Sequence, residues 1–221
     1  MKIAFDIVLS LVFIFAGYYA ACLYLNNEKL SSKEFNVLQL TKNKILYLVI
    51  SFMLPAILIV LFQTVYHNEM IAQLKLLSLV LIILPTAAVD FKLQKIPNKF
   101  MFAALIVRCV FYIAEFAINY KVAWVTLKDN AIGAIVIGGF FLILLLVFKN
   151  SIGMGDVKLF AIIGLYQGLW GGINSVFFSL VASFFISVAL LVFRKKKRND
   201  TISFGPSILF GTFVAIALAG I

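Results

Sequence analysis

Residues 157–193, VKLFAIIGLYQGLWGGINSVFFSLVASFFISVALLVF, decide the fold, because this apolar stretch is about twice as long as the ~20 residues that one bilayer crossing requires. The segment QGLWGGIN at 167–174 interrupts it near the middle with the glycines and asparagine that are typical of a turn. We therefore predict two membrane helices here, at about 157–170 and 174–193.

Composition extends this interpretation to the whole chain. Of its 221 residues, 64% are hydrophobic and 13% are charged, whereas soluble domains are roughly half apolar and about a quarter charged. The sequence therefore predicts an all-α, polytopic integral membrane protein of eight transmembrane helices, forming one membrane-embedded domain over 1–221. The predicted spans are about 3–25, 45–66, 72–90, 100–120, 131–148, 157–170, 174–193 and 204–221. The first is too long for the apolar core of a signal peptide, so we expect it to be retained.

Lysine and arginine are distributed unequally between the loops of this topology. One set of alternate loops holds 14 of the 19 basic residues, the opposite set holds four, and Arg108 lies within a helix. Because basic loops remain on the cytoplasmic side, we expect the larger set to be cytoplasmic and both termini to be outside. The basic cluster at 194–198 is expected to bind anionic lipids. The net charge of +10 thus indicates orientation and membrane lipids as partners, rather than nucleic acid.

Cysteine and histidine are too scarce for several kinds of site. The two cysteines, Cys22 and Cys109, cannot form a disulfide framework or a four-thiolate zinc site. The one histidine, His67, excludes a multi-histidine metal centre, and its distance in sequence from any candidate partner argues against a serine–histidine–aspartate triad. We therefore expect neither a metal nor another cofactor.

Three of the nine acidic residues, Asp90, Glu115 and Asp156, fall at or within the predicted spans. An ionised carboxylate at the centre of a membrane helix costs about 2.5–3.5 kcal/mol, so each of them needs a physical reason. Arg108 precedes Glu115 by two helical turns on the same face, and we expect the two side chains to form a structural pair.

Asp90 and Asp156 are predicted at the same depth, each at the cytoplasmic end of a helix. Either acid alone would be interpreted as solvated, but the sequences around them, DFKLQKIPN at 90–98 and GMGDVK at 153–158, point to a shared site. Gly153 and Gly155 remove two Cβ atoms and allow positive φ angles or the close approach of another chain. Pro97 is expected to fix the re-entry of the chain into the next helix.

These segments resemble the type IV prepilin peptidases, a family of polytopic aspartyl proteases. The family has an Asp-x5-Ile-Pro-Asn type segment, a Gly-x-Gly-Asp-x-Lys segment and an Ile-Pro-Phe-Gly-Pro segment that opens the last helix. The corresponding residues here are Asp90, Ile96, Pro97 and Asn98, then Gly153, Gly155, Asp156 and Lys158, and finally Gly205 and Pro206, with Ser203 where proline is usual.

The resemblance implies a function as well as a fold. It implies a peptidase of the prokaryotic cell membrane that cleaves the short basic leader of type IV prepilin or pseudopilin precursors on the cytoplasmic side, just before their hydrophobic helix. Asp90 and Asp156 would be catalytic, and the substrate-binding residues would be Gly153, Gly155, Pro97, Asn98, Gly205 and Pro206. Many bacterial relatives also N-methylate the new terminus and carry a loop with two Cys-x-x-Cys pairs. The segment Asn26 to Lys44 contains no cysteine, which puts methyltransferase activity in doubt.

A mechanism follows from two neighbouring carboxylates. They cannot both ionise without a large cost, so one would hold a proton while the other deprotonates a water molecule that attacks the scissile carbonyl. Because a helix N-terminus favours a negative charge and a C-terminus disfavours it, we predict Asp156 as the base and Asp90 as the acid. Lys158 should point away from Asp156 and towards lipid phosphate, since residues two apart on a helix face apart.

Three other readings remain open from the residues. The two aspartates could relay ions or protons in a membrane transporter, although neither lies near mid-bilayer, where transporter sites usually lie. A presenilin-like or signal-peptide-peptidase-like protease would share the segment around Asp156 but would need a Pro-Ala-Leu motif, which the last helix lacks. The remaining alternative is a purely structural membrane subunit.

Overall fold

The computed structural model describes residues 11–12, 14–19, 21–22, 42–66, 69–148, 153–192 and 203–220. These residues are almost entirely helical, and no strand occurs among them. The helices are α1 (Lys42–Leu61), which continues as a short π-helix (Phe62–Tyr66), α2 (Met70–Leu93), α3 (Asn98–Ile118), α4 (Tyr120–Val147), α5 (Met154–Val192) and α6 (Gly205–Ala219). The described residues of the first predicted span, 11–12, 14–19 and 21–22, are also helical.

Five helical stretches of the described chain are long and apolar enough to cross a membrane. They are Val49–Tyr66, Met70–Leu93, Asn98–Ile118, Tyr120–Val147 and Met154–Val192, and α6 is a shorter apolar helix. The prediction of a polytopic helical membrane protein is therefore confirmed, whereas the count of eight helices and the outside position of both termini stay predictions. In α2, 83% of the most apolar window is buried, against 17–28% in the other four, so α2 is the central helix.

The apolar stretch that opened the sequence analysis is broken at Gly168, where φ is 73° and ψ is −169°. Residues eight apart in a continuous helix are about 12 Å apart along its axis. Here Ser175 Oγ nevertheless donates a hydrogen bond to Gln167 Oε1 at 2.5 Å, and a Cβ built on Gly172 would lie 3.2 Å from the Cα of Gly164. The chain therefore folds back, as predicted, into two packed helices that we call α5a (residues 154–167) and α5b (residues 169–192).

The turn between α5a and α5b is held by polar side chains from α3 and α4. The carbonyls in the last turn of a helix need partners from outside it, and Leu165 O accepts a hydrogen bond from Arg108 Nε at 3.2 Å. The fully buried guanidinium of Arg108 also binds Glu115 through two hydrogen bonds of 3.1 and 3.2 Å. On the other side of the turn, the Leu169 N–H donates to Asp129 Oδ1 at 3.5 Å. The predicted Arg108–Glu115 pair is confirmed and forms part of this network.

The connection between α3 and α4 corrects the sequence prediction. The predicted spans 100–120 and 131–148 placed residues 121–130, with Asp129 among them, in an external loop. The structure has a single linking residue, Asn119, whose side chain accepts hydrogen bonds from the N–H groups of Lys121 and Val122 at 3.2 and 3.4 Å. This N-cap starts α4 at Tyr120. The loop prediction was wrong because the polar residues form the first turns of a long helix.

Candidate active site

Asp90 lies one turn before the end of α2 and is only 5% exposed. The helix continues to Leu93 and ends at Gln94, which has a left-handed φ of 52° and whose N–H donates to Asp90 O at 2.8 Å. Pro97 then forms the N-cap position of α3, so the chain turns back within four residues of α2. The predicted re-entry at Pro97 is thereby confirmed, but Asp90 lies deeper inside its helix than expected.

The last helix begins directly against Asp90. The N–H of Gly205 donates a hydrogen bond of 2.7 Å to Asp90 Oδ2, and both groups are buried. A Cβ built on Gly205 would lie 2.9 Å from Asp90 Cβ and from Asp90 Oδ2, so only glycine fits without a shift. Gly205 therefore binds the candidate catalytic residue, and its predicted contact with substrate stays a prediction. Asp90 thus lies at the N-terminus of α6, and the helix-dipole argument no longer separates the two acids.

Asp156 lies in the first turn of α5a. Its Oδ2 accepts a hydrogen bond from the N–H of Gly153 at 3.3 Å. A Cβ built on Gly155 would lie 2.7 Å from Ile96 Cβ, so this glycine lets the start of α5a approach the segment between α2 and α3. Neither Gly153 nor Gly155 has a positive φ. The close approach that the sequence predicted is present, and the left-handed backbone is not.

Asp90 and Asp156 both line one cavity of about 350 Å³. The cavity lies where α2, α3 and α5a meet. It is lined by Asp90, Gln94, Lys95, Ile96, Pro97, Asn98, Gly153, Gly155 and Asp156. Six of the eight predicted site residues are therefore brought together. Gly205 binds Asp90 but does not line the cavity. Pro206 lies in the first turn of α6 and does not line the cavity either.

Three residues of the cavity wall, Gln94, Lys95 and Ile96, were not among the predicted site residues. All three fall inside the 90–98 segment, so the segment itself was the available signal. Lys158 was expected to point away from Asp156 towards lipid, and its Nζ donates a hydrogen bond of 3.0 Å to Asn98 Oδ1 instead. In the described part of the chain, no group of three or more histidine, cysteine or acidic side chains is arranged to hold a metal ion.

Comparison with known proteins agrees with this geometry. The sequence profile of the type IV leader peptidase family matches residues 75–192, more than half of the chain, and this region includes both Asp90 and Asp156. The chain belongs to the type IV leader peptidase family. The resemblance inferred from the three motifs is thus confirmed, and this chain is a multi-pass membrane protein of a peptidase family.

A curated relative gives a second match, which covers only part of that protein. A prepilin leader peptidase/N-methyltransferase of Pseudomonas putida is 29% identical to this chain over 158 residues, which are 68% of this chain and 50% of that protein. The chain thus spans half the length of this relative. No solved structure matches the chain. The type IV leader peptidase family favours a peptidase over the transporter alternative.

Proposed function

We propose that this protein is a membrane aspartyl endopeptidase that removes the basic leader from type IV pilin-like precursors. One observation carries the proposal: Asp90 and Asp156 come from different helices, distant in sequence, yet line the same cavity. Two carboxylates in one cavity suit the chemistry of an aspartyl protease, in which one acid keeps its proton while the other is ionised. Family membership supplies the substrate class, a precursor with a leader peptide.

The proposed reaction needs only the two carboxylates and a water molecule. One carboxylate takes a proton from the water as the water oxygen bonds to the scissile carbonyl carbon, while the other, protonated, donates a hydrogen bond to the carbonyl oxygen. The tetrahedral intermediate then collapses, the C–N bond breaks, and the leaving nitrogen takes up a proton from the dyad. Asp156 lies in the first turn of α5a, and Asp90, although part of α2, is bound by the N-terminus of α6. We therefore assign the roles of base and acid to the pair as a whole.

The walls of the cavity suit an extended peptide. Gly153 is exposed at the rim and Gly155 is half-buried beside Asp156, so the backbone of this segment can come close to a substrate strand. Polar side chains of Gln94, Lys95 and Asn98 form the opposite wall. We propose that the leader enters here from the cytoplasmic side, which the distribution of lysine and arginine assigns to this end of the helices.

N-methyl transfer is not part of the proposal. The Pseudomonas putida relative carries that activity in its name, but this chain spans half of that protein. The two Cys-x-x-Cys pairs of many bacterial relatives are also missing from the sequence, which has two cysteines in all. Mass spectrometry of a processed precursor will report whether its new N-terminus carries the additional methyl group.

The test of the peptidase proposal is coexpression with a pilin-like precursor. We expect Asp90→Asn and Asp156→Asn each to reduce leader removal by at least ~10²-fold, since general acid–base catalysis contributes about 10²–10⁴-fold. Asp129→Asn is the matched control, because it makes the same change at an acid outside the cavity. Normal processing by either cavity variant at equal expression would refute the aspartyl mechanism.

A further inference from the structure

An apolar groove between α3, α4 and α5a adjoins the cavity. Its volume is about 340 Å³. Asn98 lines both the cavity and the groove, so the two spaces lie side by side. Lys158 lines only the groove, and its hydrogen bond to Asn98 links α5a to α3 at the boundary between the two spaces.

The groove is lined mainly by apolar and small residues. Its floor contains Ala134 from α4 and Ala161 from α5a, and small residues of this kind let membrane helices approach closely. Its rim contains two apolar side chains of α3, Phe102 and Leu105, which are 65% and 38% exposed. From Asn98 to Leu105 the groove follows α3 for about 10 Å, or two helical turns.

We propose that this groove binds the apolar helix that follows the scissile bond of the substrate, an inference that rests on the proposed function. A peptide held across Asp90 and Asp156 must leave the cavity in two directions. The polar wall at Gln94 and Lys95 suits the basic leader, which stays in water. The other direction passes Asn98 and enters the apolar groove, which runs along the helices and away from the polar end of the cavity.

This placement distinguishes the groove from ordinary lipid-facing surface. A lipid acyl chain would fill it without any need for a connection to the cavity. A substrate helix needs that connection, because its first residue must reach the carboxylates. Asn98, which lines both spaces, places the groove directly beside the cavity, so a segment held in the groove would orient the scissile bond.

Photo-crosslinking tests which occupant is present. A photoreactive amino acid is placed at Phe102 in full-length Asp156→Asn protein, which holds precursor without cleaving it, in membranes that contain a pilin-like precursor. The matched control is position 185, since Phe185 on α5b is also 65% exposed and does not line the groove. We expect at least fivefold more precursor adduct at position 102. Equal adduct at both positions, or lipid adducts alone at position 102, would overturn the inference.

A second experiment separates the groove from the peptidase proposal. Ala134→Leu fills the groove, and Ala103→Leu makes the same change at an exposed position of α3 that does not line it. Each variant is assayed on the complete precursor and on a short peptide that ends a few residues after the scissile bond. We expect Ala134→Leu to slow precursor cleavage roughly tenfold and to change peptide cleavage less than about twofold, because the added side chain occupies space that only the substrate helix needs.

The outcomes of this assay are distinguishable. Equal losses on both substrates, or no loss on either, would refute the groove as the helix site while leaving the peptidase intact. If the wild-type protein cleaves neither substrate, the proposed function itself is wrong.

Discussion

Two regions of this molecule hold acidic side chains among packed helices, and the groups that donate hydrogen bonds to these acids differ between the two regions. At the turn between α5a and α5b, Glu115 is bound twice by the buried guanidinium of Arg108. In the cavity, the hydrogen bonds to Asp90 and Asp156 come from the backbone N–H groups of Gly205 and Gly153. A guanidinium neutralises the acid that it binds, whereas a backbone amide orients a carboxylate and leaves its charge to interact with the neighbouring acid.

The difference explains why one region is structural and the other is the candidate for chemistry. A buried ion pair with satisfied hydrogen bonds fixes the positions of helices, and breaking it by removing one partner is strongly destabilising. Two like acids in one cavity repel each other unless they share a proton, which is the condition for general acid–base catalysis. The same residue types thus serve two purposes, and the nature of the hydrogen-bond donor distinguishes them.

The largest effect is expected from breaking the ion pair at the turn. Arg108→Met removes the donor to Glu115 and to the carbonyl of Leu165, so we expect the free energy of unfolding to fall by roughly 3–5 kcal/mol. Thermal or denaturant unfolding in lipid–detergent mixtures measures this change. The double variant Arg108→Met/Glu115→Gln should recover part of the loss, because it leaves no unpaired carboxylate. A double variant less stable than Arg108→Met would contradict the pairing.

A smaller effect is expected where the cavity is supported by a backbone amide. Gly205→Ala places a Cβ 2.9 Å from Asp90 Cβ and Oδ2, so α6 must move and its hydrogen bond to Asp90 must lengthen. We expect leader removal to fall about tenfold or more, with a loss of stability of roughly 1–3 kcal/mol.

Gly139→Ala is the matched control for Gly205→Ala. Gly139 lies in α4, and nothing lies within 4 Å of a Cβ built on it. This substitution should leave activity unchanged and stabilise the helix by about 0.5–1 kcal/mol. If both alanine variants processed precursor equally well, Gly205 would not position Asp90.

The comparison also separates what local sequence predicts from what it does not. The pairing of Arg108 with Glu115 follows from helical spacing, and the turn at Gly168 follows from a glycine-rich break in a stretch too long for one crossing. A shared site for Asp90 and Asp156 was predictable because both segments carry flanking motifs and lie at span ends that the topology places on the same side. In each case the signal lies within a few residues of the feature.

Other contacts left no such signal. The N–H of Gly205 reaches Asp90 across 115 residues, and the motif around Gly205 indicated the start of a helix and a substrate-binding residue but not this hydrogen bond. Polar residues at 121–130 were assigned to a loop because composition does not reveal that Asn119 caps a helix or that Asp129 is bound by the turn of α5. Such features depend on how the helices pack, which periodicity alone does not determine.

The smallest effect is expected at the hydrogen bond between Lys158 and Asn98, which lies at the edge of the cavity and away from both acids. Because both side chains are exposed, Lys158→Met should lower the free energy of unfolding by less than about 1 kcal/mol. Cleavage of a short peptide should also change little, since Lys158 contacts the groove and not the dyad. A loss of peptide cleavage as large as that of Asp156→Asn would place Lys158 among the groups that act on the scissile bond. The acids of the cavity would then have a charged partner as Glu115 does, and the contrast between the two regions would no longer hold.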